Sequence, residues 1–195
     1  LGTVKKTPLS AFSRPRSNGI IAIGLDEGDY LIGVALTEGN HDVMLFSDGG
    51  KAMRFSENDV RPVGRSARGV RGMRLGVGQK VISLLVAENE ELTVLTATEN
   101  GYGKRTPISE YTRHNRGTQG MIAINTSARN GKVVAAQLVK QDDEIMLITT
   151  GGILIRTRVS EIREMGRATQ GVTLINLDQG EKLVGLERVV EADEE

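Results

Sequence analysis

The sequence predicts an all-β fold made of about four repeated, propeller-type blades of roughly 50 residues each. The first observation is a repeat in which a glycine is followed four residues later by a basic residue, in steps of 48, 51 and 51 residues. These first glycines are Gly2, Gly50, Gly101 and Gly152. The second observation is a further glycine in each unit, which in three units closes an arginine-containing phrase of five residues. These second glycines are Gly19, Gly69, Gly120 and Gly171.

The third observation is that apolar stretches of strand length recur in each unit, while no helical periodicity extends over ten or more residues. The predicted strands are residues 43–47, 81–86, 92–97, 133–139, 145–150, 153–157, 172–175 and 183–186. The turn at Gly151 and Gly152 predicts a hairpin, because glycine adopts the positive φ that tight hairpin turns require. Only residues 56–59 and 160–163 predict brief helical turns.

The repeat divides the chain into four units, about 1–42, 43–91, 92–144 and 145–190, within one domain of residues 1–190. A blade of this size buries its faces only by stacking on its neighbours, so we expect the units to form one continuous array. The chain begins at the turn of the first unit, and we expect the leading strand of that unit to precede Leu1.

The composition excludes several classes of protein. The 195 residues include no Cys, which excludes disulfide scaffolds and thiolate metal sites, and aromatic residues make up only 3%. The longest apolar run, residues 81–87, is far too short to cross a bilayer. We expect a soluble, cytosolic protein.

The charges are segregated along the chain, although 25 Lys and Arg balance 25 Asp and Glu. The windows that run from the first to the second glycine of each unit hold 17 basic and 5 acidic residues, a net charge of +12. The other 117 residues carry a net charge of −12. Because equivalent loops lie on one edge of a repeat array, the windows predict a basic band typical of a polyanion-binding surface. Solvated charged faces are the alternative interpretation.

Duplex nucleic acid is the polyanion that the residue types favour. Few aromatic side chains lie in the basic windows, although single-strand binders stack bases on such side chains. No recognition helix is predicted for reading base edges. Contact with the phosphate backbone of a duplex, largely independent of sequence, is the remaining mode.

The sequence presents no catalytic centre and no metal site. His41 and His114 lie in different units with different neighbours, which argues against a shared metal. Residues 101–105 are similar to the end of a phosphate-binding loop, but Arg105 stands where that loop needs Ser or Thr. We therefore expect a binding domain without enzymatic activity of its own and without a cofactor.

Four phrases closely resemble the C-terminal domain of the bacterial DNA gyrase A subunit. They are residues 38–46 leading into Gly50 and Lys51, 69–75, 100–106 (Asn-Gly-Tyr-Gly-Lys-Arg-Thr) and 155–161. The resemblance covers essentially the whole chain. It implies a β-pinwheel, a six-bladed propeller-like fold with an altered strand order, which wraps duplex DNA around a positively charged rim. In the whole enzyme, this wrapping directs ATP-dependent negative supercoiling.

The resemblance places the DNA-contacting loops of the family on the basic windows. The implied DNA-binding residues are Lys5, Lys6, Arg14, Arg16, Lys51, Arg54, Arg65, Arg68, Lys104, Arg105, Arg113, Arg116, Arg156, Arg158 and Arg167. Two features depart from the family pattern. The basic-glycine heptapeptide of gyrase is absent, and the chain holds about four blades rather than six.

The resemblance also implies the partners and the location. The implied partners are double-stranded DNA and, in an A2B2 holoenzyme, the gyrase B subunit together with the N-terminal domains of the gyrase A subunit; no membrane is involved. ATP and Mg²⁺ would be used by other parts of that holoenzyme, in the bacterial cytoplasm at the nucleoid. Residues 191–195 are similar to the start of an acidic tail. Two alternatives remain, a kelch-like propeller that binds proteins and the C-terminal domain of the topoisomerase IV A subunit.

Overall fold

The computed structural model describes residues 1–190, and nearly all regular structure in that range is β-strand. The predicted acidic tail at 191–195 lies outside the described residues. The strands are β1 (Thr3–Val4), β2 (Asp42–Ser47), β3 (Lys51–Ser56), β4 (Val70–Arg71), β5 (Val81–Ala87), β6 (Thr93–Thr98), β7 (Tyr102–Pro107), β8 (Met121–Ile122), β9 (Val133–Val139), β10 (Glu144–Thr149), β11 (Leu154–Arg158), β12 (Val172–Thr173) and β13 (Leu183–Arg188). Four 3-10 turns span Leu9–Phe12, Glu57–Asp59, Ile108–Glu110 and Val159–Glu161.

The strands form four antiparallel sheets, which confirms the predicted all-β, pinwheel-like class. Their orders are β1-β4, β5-β2-β3-β8, β9-β6-β7-β12 and β13-β10-β11. In three sheets the outermost strand comes from the following unit: β4 pairs with β1, β8 with β3, and β12 with β7. We call β1, β3, β7 and β11 the acceptor strands, and β4, β8 and β12 the donated strands. This exchange of strands was not predicted from the sequence.

The hydrophobic core lies between successive sheets rather than inside any one of them. Alternation along a strand directs neighbouring side chains to opposite faces. In β2, Met44 and Phe46 therefore pack toward the third unit, while Leu45 packs toward the first. The ring of Phe46 meets that of Tyr111 edge to face, with centroids 5.8 Å apart. Each middle sheet is thus buried on both faces by its neighbours.

The first unit differs from the other three, and the prediction of evenly spaced strands is wrong there. Residues 5–41 contain no strand, and Tyr30, Val34 and Leu36 are each more than 70% exposed. In the other units the equivalent stretch forms strand β5, β9 or β13. Each of these strands pairs with the first long strand of its unit, β2, β6 or β10 respectively. No leading strand is present for the first unit among residues 1–190, and an apolar cavity of about 650 Å³ lies beside this stretch.

A pair of glycines tests how tightly the donated strands pack. Gly171 and Gly180 have nearly the same φ, +76° and +80°, so an alanine at either position suffers similar backbone strain. A Cβ at Gly171 would overlap the backbone of Gly103 in β7, whereas a Cβ at Gly180 would meet no atom within 4 Å. We expect Gly171→Ala to lower the free energy of unfolding by about 1–3 kcal/mol more than Gly180→Ala, as measured by urea denaturation. Equal losses would contradict close packing of the exchanged strand.

Candidate nucleic-acid interface

In the first and third units, the lysine three residues after the first glycine binds backbone carbonyl groups of the next unit. Lys104 is fully buried, and its Nζ donates hydrogen bonds to the carbonyl oxygens of Gly166 at 2.8 Å, Thr169 at 3.2 Å and Arg167. Lys5 makes the same kind of contact, since its Nζ donates to the carbonyl oxygens of the equivalent phrase in the second unit. In both cases the lysine holds the arginine-containing phrase of the following unit.

In the first three units, the basic residue four positions after the first glycine contacts the next unit's 3-10 turn or the residue just after it. Lys6 Nζ donates to the carbonyl oxygen of Glu57 at 3.0 Å, and Arg54 Nη1 donates to that of Ile108 at 3.2 Å. Arg105 Nε likewise donates to the carbonyl oxygen of Ile162 at 2.8 Å, just beyond the turn of the fourth unit. A contact with the turn or with the residue that follows it therefore occurs at all three junctions; Arg54 makes both, since it also donates to the carbonyl oxygen of Tyr111 at 3.2 Å.

The arginine-containing phrases make a third type of contact, directed back to the preceding unit. The Nη1 atom of the first arginine in each phrase donates a hydrogen bond to the carbonyl oxygen of one residue in the preceding unit. That residue lies two positions after the second glycine of its unit. The pairs are Arg65 with Ile21 at 2.8 Å, Arg116 with Arg71 at 3.0 Å, and Arg167 with Ile122. The basic side chains of the arginine-containing phrases, and those that follow the first glycines, thus join each unit to its neighbour through hydrogen bonds to backbone carbonyl oxygens.

These contacts correct part of the sequence prediction. Lys104 and Arg105 are 0% and 5% exposed, and their donors are directed at protein oxygens, so neither can reach a phosphate in this fold. Arg54 is also largely buried, with its guanidinium on Asp42 at 2.7 Å and on Glu90. The resemblance implied DNA contact at these positions, but in the structure these three cations bind protein groups at the junctions between units.

Other predicted residues keep part of their surface in solvent. Lys5, Lys6, Lys51, Arg65, Arg116 and Arg167 are half-buried. The exposed members are Arg14, Arg16, Arg68, Arg113, Arg156 and Arg158. All twelve stay predictions as DNA contacts.

Several exposed arginines lie beside carboxylates. Arg68 pairs with Asp26 at 2.7 Å, and Arg113 pairs with Asp42 at 2.8 Å. Arg158 lies 3.9 Å from Glu144. The Arg68–Asp26 pair is exposed on both sides and contributes only about 0–1 kcal/mol, so a phosphate can compete for Arg68. The carboxylate of Asp42 is buried, so release of Arg113 costs more.

The structure also exposes basic residues that were not among those predicted from the sequence. Arg61 and Arg163 lie inside the basic windows, each eleven residues after a first glycine, so their spacing was an available signal. Arg71 lies on the donated strand β4, and Arg74 follows three residues later. These two lie outside the windows, and no periodic signal singles them out.

The buried ammonium of Lys104 has a perturbed acidity. Burial lowers its pKa to about 8; the nearby carboxylate of Glu110 opposes this shift, and the guanidinium of Arg167 adds to it. Burial, together with the positive charge of Arg65, also lowers the pKa of Lys5. Lys104 and Lys5 both lie at junctions between units, and the removal of an ammonium charge from water is the leading cause of the lowered pKa at each.

The described residues show neither a metal cluster nor a membrane span. Across residues 1–190, no three His, Asp or Glu side chains are grouped so that they could hold a metal ion. Within the same range, no helix has the length and apolarity needed to cross a bilayer.

Comparison with known proteins identifies similar domains. The sequence profile described as DNA gyrase C-terminal domain, beta-propeller, matches residues 1–38, 41–88, 93–140 and 143–189. The A subunit of DNA gyrase from Pseudomonas aeruginosa is 59% identical over 190 residues, which are 97% of this chain and 20% of that protein. The corresponding Escherichia coli protein is 54% identical over 195 residues, covering all of this chain and 22% of that protein. The chain therefore spans about a fifth of the length of these relatives.

Two solved structures share the fold over nearly the whole chain. A DNA gyrase A C-terminal domain superposes with a TM-score of 0.85 at 28% identity, covering 97% of this chain and 63% of that one. The C-terminal domain of a DNA topoisomerase IV superposes with a TM-score of 0.90 at 25% identity, covering 96% and 59%.

Substitution of Lys104 by methionine tests the carbonyl contacts, because Met53 fills the same position in the second unit. At pH 7 we expect Lys104→Met to lower the free energy of unfolding by about 1–3 kcal/mol, since the carbonyl groups of the next unit lose their buried donor. Urea denaturation measures the effect. The exposed Lys140→Met is the control, and we expect it to change stability by less than about 0.5 kcal/mol.

The stability difference between wild type and Lys104→Met should also depend on pH. The folded pKa is about 8 and the ordinary value is 10.5, so between these values the folded chain binds fewer protons than the unfolded chain. Stability contributed by Lys104 therefore rises with pH across this window, by at most about 3 kcal/mol. Denaturation at intervals from pH 7 to pH 10.5 should show the difference growing. A constant difference would contradict the buried state of the ammonium.

Proposed function

The chain belongs to the DNA gyrase C-terminal domain family, and we propose that it binds and bends duplex DNA as that domain of a gyrase A subunit. The observation that carries the proposal is the separation of two sets of cations. One set holds the units together through backbone oxygens. The other set remains exposed in the same windows, once or more in every unit. Because the junctions repeat, we expect the exposed set to follow successive units along one side of the array.

Phosphate contact is the binding mode that these side chains favour. Arginine presents a planar fork of donors that matches phosphate oxygens, and Arg68, Arg113 and Arg158 are 60–73% exposed. The aromatic surface needed to stack bases is scarce. Tyr102 is half-buried with the guanidinium of Arg129 4.3 Å from its ring centroid, which leaves Tyr30 as the exposed aromatic side chain among residues 1–190. Both points support backbone contact with a duplex over stacking with single strands.

Bending follows from contact at several units. DNA is stiff over a few tens of base pairs, so a straight duplex would reach only a short part of a curved rim. Smooth bending of 20–30 base pairs by 40–90° costs about 1–6 kcal/mol, which contacts at further units offset. In the holoenzyme, this bending would direct strand passage toward negative supercoiling. Strand cleavage and the use of ATP and Mg²⁺ would belong to the other gyrase domains, in the bacterial cytoplasm at the nucleoid.

The topoisomerase IV A subunit is the second candidate, because the topoisomerase IV domain superposes at least as well as the gyrase domain. Sequence favours gyrase. Identity is 54–59% to the gyrase A subunits named above, and 25% to the topoisomerase IV domain. A kelch-like protein-binding propeller has no such support from the comparisons.

Salt dependence tests the electrostatic mode. We expect the binding constant for a short duplex to fall with salt, with a log–log slope of about −0.9 for each phosphate neutralised and roughly 4–8 phosphates in total. Fluorescence anisotropy between 50 and about 200 mM salt measures the slope, and duplexes of unrelated sequence should behave alike. A slope near zero would overturn the proposal.

Charge-matched variants test which cations contact phosphate. The triple variant Arg68→Gln, Arg113→Gln and Arg158→Gln should lower the steepness of the salt slope by about two to three and weaken binding uniformly across sequences. The control triple is Lys80→Gln, Lys132→Gln and Lys140→Gln, which removes the same charge from sites outside the basic windows. Equal effects of the two triples would show that net charge, rather than the exposed arginines, governs binding.

Energy transfer between the two ends of a labelled duplex of about 40 base pairs tests bending. We expect transfer to rise as the protein saturates the duplex, because contacts at successive units bring the ends closer. The control triple above should bend the duplex as wild type does. Unchanged transfer at saturation would show binding without bending.

A further inference from the structure

One arginine of the third unit lies where three successive units meet. Arg116 donates from Nε to the carbonyl oxygen of Asp59 at 2.9 Å and from Nη1 to that of Arg71 at 3.0 Å. Asp59 ends the 3-10 turn of the second unit, and Arg71 lies in the donated strand β4 of that unit. Because β4 completes the sheet of the first unit, a single guanidinium connects three units.

Arg167 repeats this arrangement one unit later. Its Nε donates to the carbonyl oxygen of Glu110 at 3.2 Å, and its Nη1 donates to that of Ile122. Glu110 ends the 3-10 turn of the third unit, and Ile122 lies in β8, which completes the sheet of the second unit. We call Arg116 and Arg167 the bridging arginines. Arg65 makes only the Nη1 contact and is not counted among them.

Each bridging arginine has one nitrogen, Nη2, that makes no hydrogen bond among residues 1–190. Both side chains are half-buried and lie in the basic windows. Neither guanidinium forms an ion pair within the described range, whereas Arg68 and Arg113 are paired with carboxylates. The partners of the bridging arginines are neutral carbonyl groups, so their positive charge remains available to an anion.

Contact with two carbonyl oxygens fixes the plane of the guanidinium. A guanidinium is planar and presents its donors as a rigid fork, so two bonds determine where the remaining donors point. The backbone beside Arg116 is fixed as well. The Gly117 N–H donates to the carbonyl oxygen of Gly72 at 2.7 Å, and the Arg74 N–H donates to that of Thr118 at 2.8 Å. A phosphate that binds here meets donors with little conformational freedom left to lose.

Lys104 shows that contact between units does not by itself require a fork. Its ammonium is fully buried and donates to the carbonyl oxygens of Gly166, Arg167 and Thr169. A lysine in that position satisfies the carbonyl groups and has no donor left for a ligand. An arginine in a half-buried position satisfies two carbonyl groups and keeps Nη2. This difference favours a further partner, outside the protein, at the bridging arginines.

We propose that phosphate binding at the bridging arginines couples DNA binding to the closure of the junctions between units. The inference rests on the proposed function, because the phosphate belongs to the duplex. Opening a junction releases Nε and Nη1 from their carbonyl oxygens and leaves Nη2 without a fixed direction. The phosphate therefore binds closed junctions more tightly than open ones, which shifts the junctions toward the closed state.

Coupling of this kind is reciprocal. If DNA favours closed junctions by a given factor, closed junctions favour DNA by the same factor. A residue that keeps the charge but loses the fork should weaken both effects. Lysine meets this requirement, because its compact ammonium cannot span two carbonyl oxygens and a phosphate as a planar guanidinium does.

Arg116→Lys tests the coupling through affinity. At one salt concentration we expect it to bind a short duplex about tenfold more weakly than wild type, since the charge is kept while the fixed fork is lost. Arg163→Lys is the control, because the exposed Arg163 side chain lies in the basic window of the fourth unit and makes no hydrogen bond among residues 1–190. We expect the control to stay within about twofold of wild type.

Hydrogen exchange measures the closure of a junction. The amides of Gly117 and Arg74 bond across the junction between the second and third units, so they exchange when that junction opens. A saturating duplex should slow exchange at both amides by about tenfold in wild type. In Arg116→Lys saturated with the same duplex, we expect little or no slowing. Simple covering of the amides by DNA would slow exchange equally in both proteins and would contradict the coupling.

Arg167→Lys repeats the test at the junction between the third and fourth units, where the Asn125 N–H donates to the carbonyl oxygen of Thr169 at 2.9 Å. The wild-type measurement needs no variant, and exchange that the duplex leaves unchanged would overturn the coupling. Equal affinity and equal protection in wild type and both lysine variants would overturn it too. A chain that does not bind the duplex would instead overturn the proposed function, so the two failures are distinguishable.

Discussion

The rest of the structure depends on one constraint: a sheet of this protein is completed only by a strand from the following unit. A hairpin that contains an acceptor strand, such as β2-β3, leaves the backbone groups of that strand's outer edge and one apolar face uncovered when it stands alone. Isolated hairpins are at best marginally stable. The donated strand is only two residues long at each junction, so it contributes few hydrogen bonds by itself. Its position is fixed by the glycine contacts and by the cations that flank it.

Those cations explain why basic residues recur in a fold whose net charge is zero. A helix or a sheet satisfies its backbone carbonyl groups internally, but the phrases and 3-10 turns at these junctions leave carbonyl oxygens without partners. Lys104, Arg105 and Arg54 supply the missing donors while the core around them excludes water. Charged donors make stronger hydrogen bonds than neutral ones, which compensates for part of the cost of their burial. The charges left on the surface are then available for a nucleic acid.

Sequence reasoning predicted the strands of the later units well, because alternation of apolar residues and glycine spacing are local signals. It predicted one of the exchanged strands, β12 within residues 172–175, but neither β4 and β8 nor the exchange itself, since pairs of residues such as Met121 and Ile122 carry no strand periodicity of their own. It also treated the buried and the exposed cations alike, as DNA-binding residues. The position of Lys104 is filled by Met53 and Ile155 in other units, and those apolar residues were an available sign of burial. In the first unit, a regular strand needs a partner that residues 1–190 do not supply.

The exchange of strands also sets an order for folding during synthesis. Lys51 pairs with Ile122, 71 residues later, so the sheet of the second unit keeps an unprotected edge until most of the third unit has left the ribosome. Folding therefore lags translation by about one repeat, and each newly made unit stabilises the one before it. Contacts this distant in sequence slow folding and prolong the exposure of strand edges. A growing chain of this architecture always carries one incomplete sheet, at its most recently synthesised end.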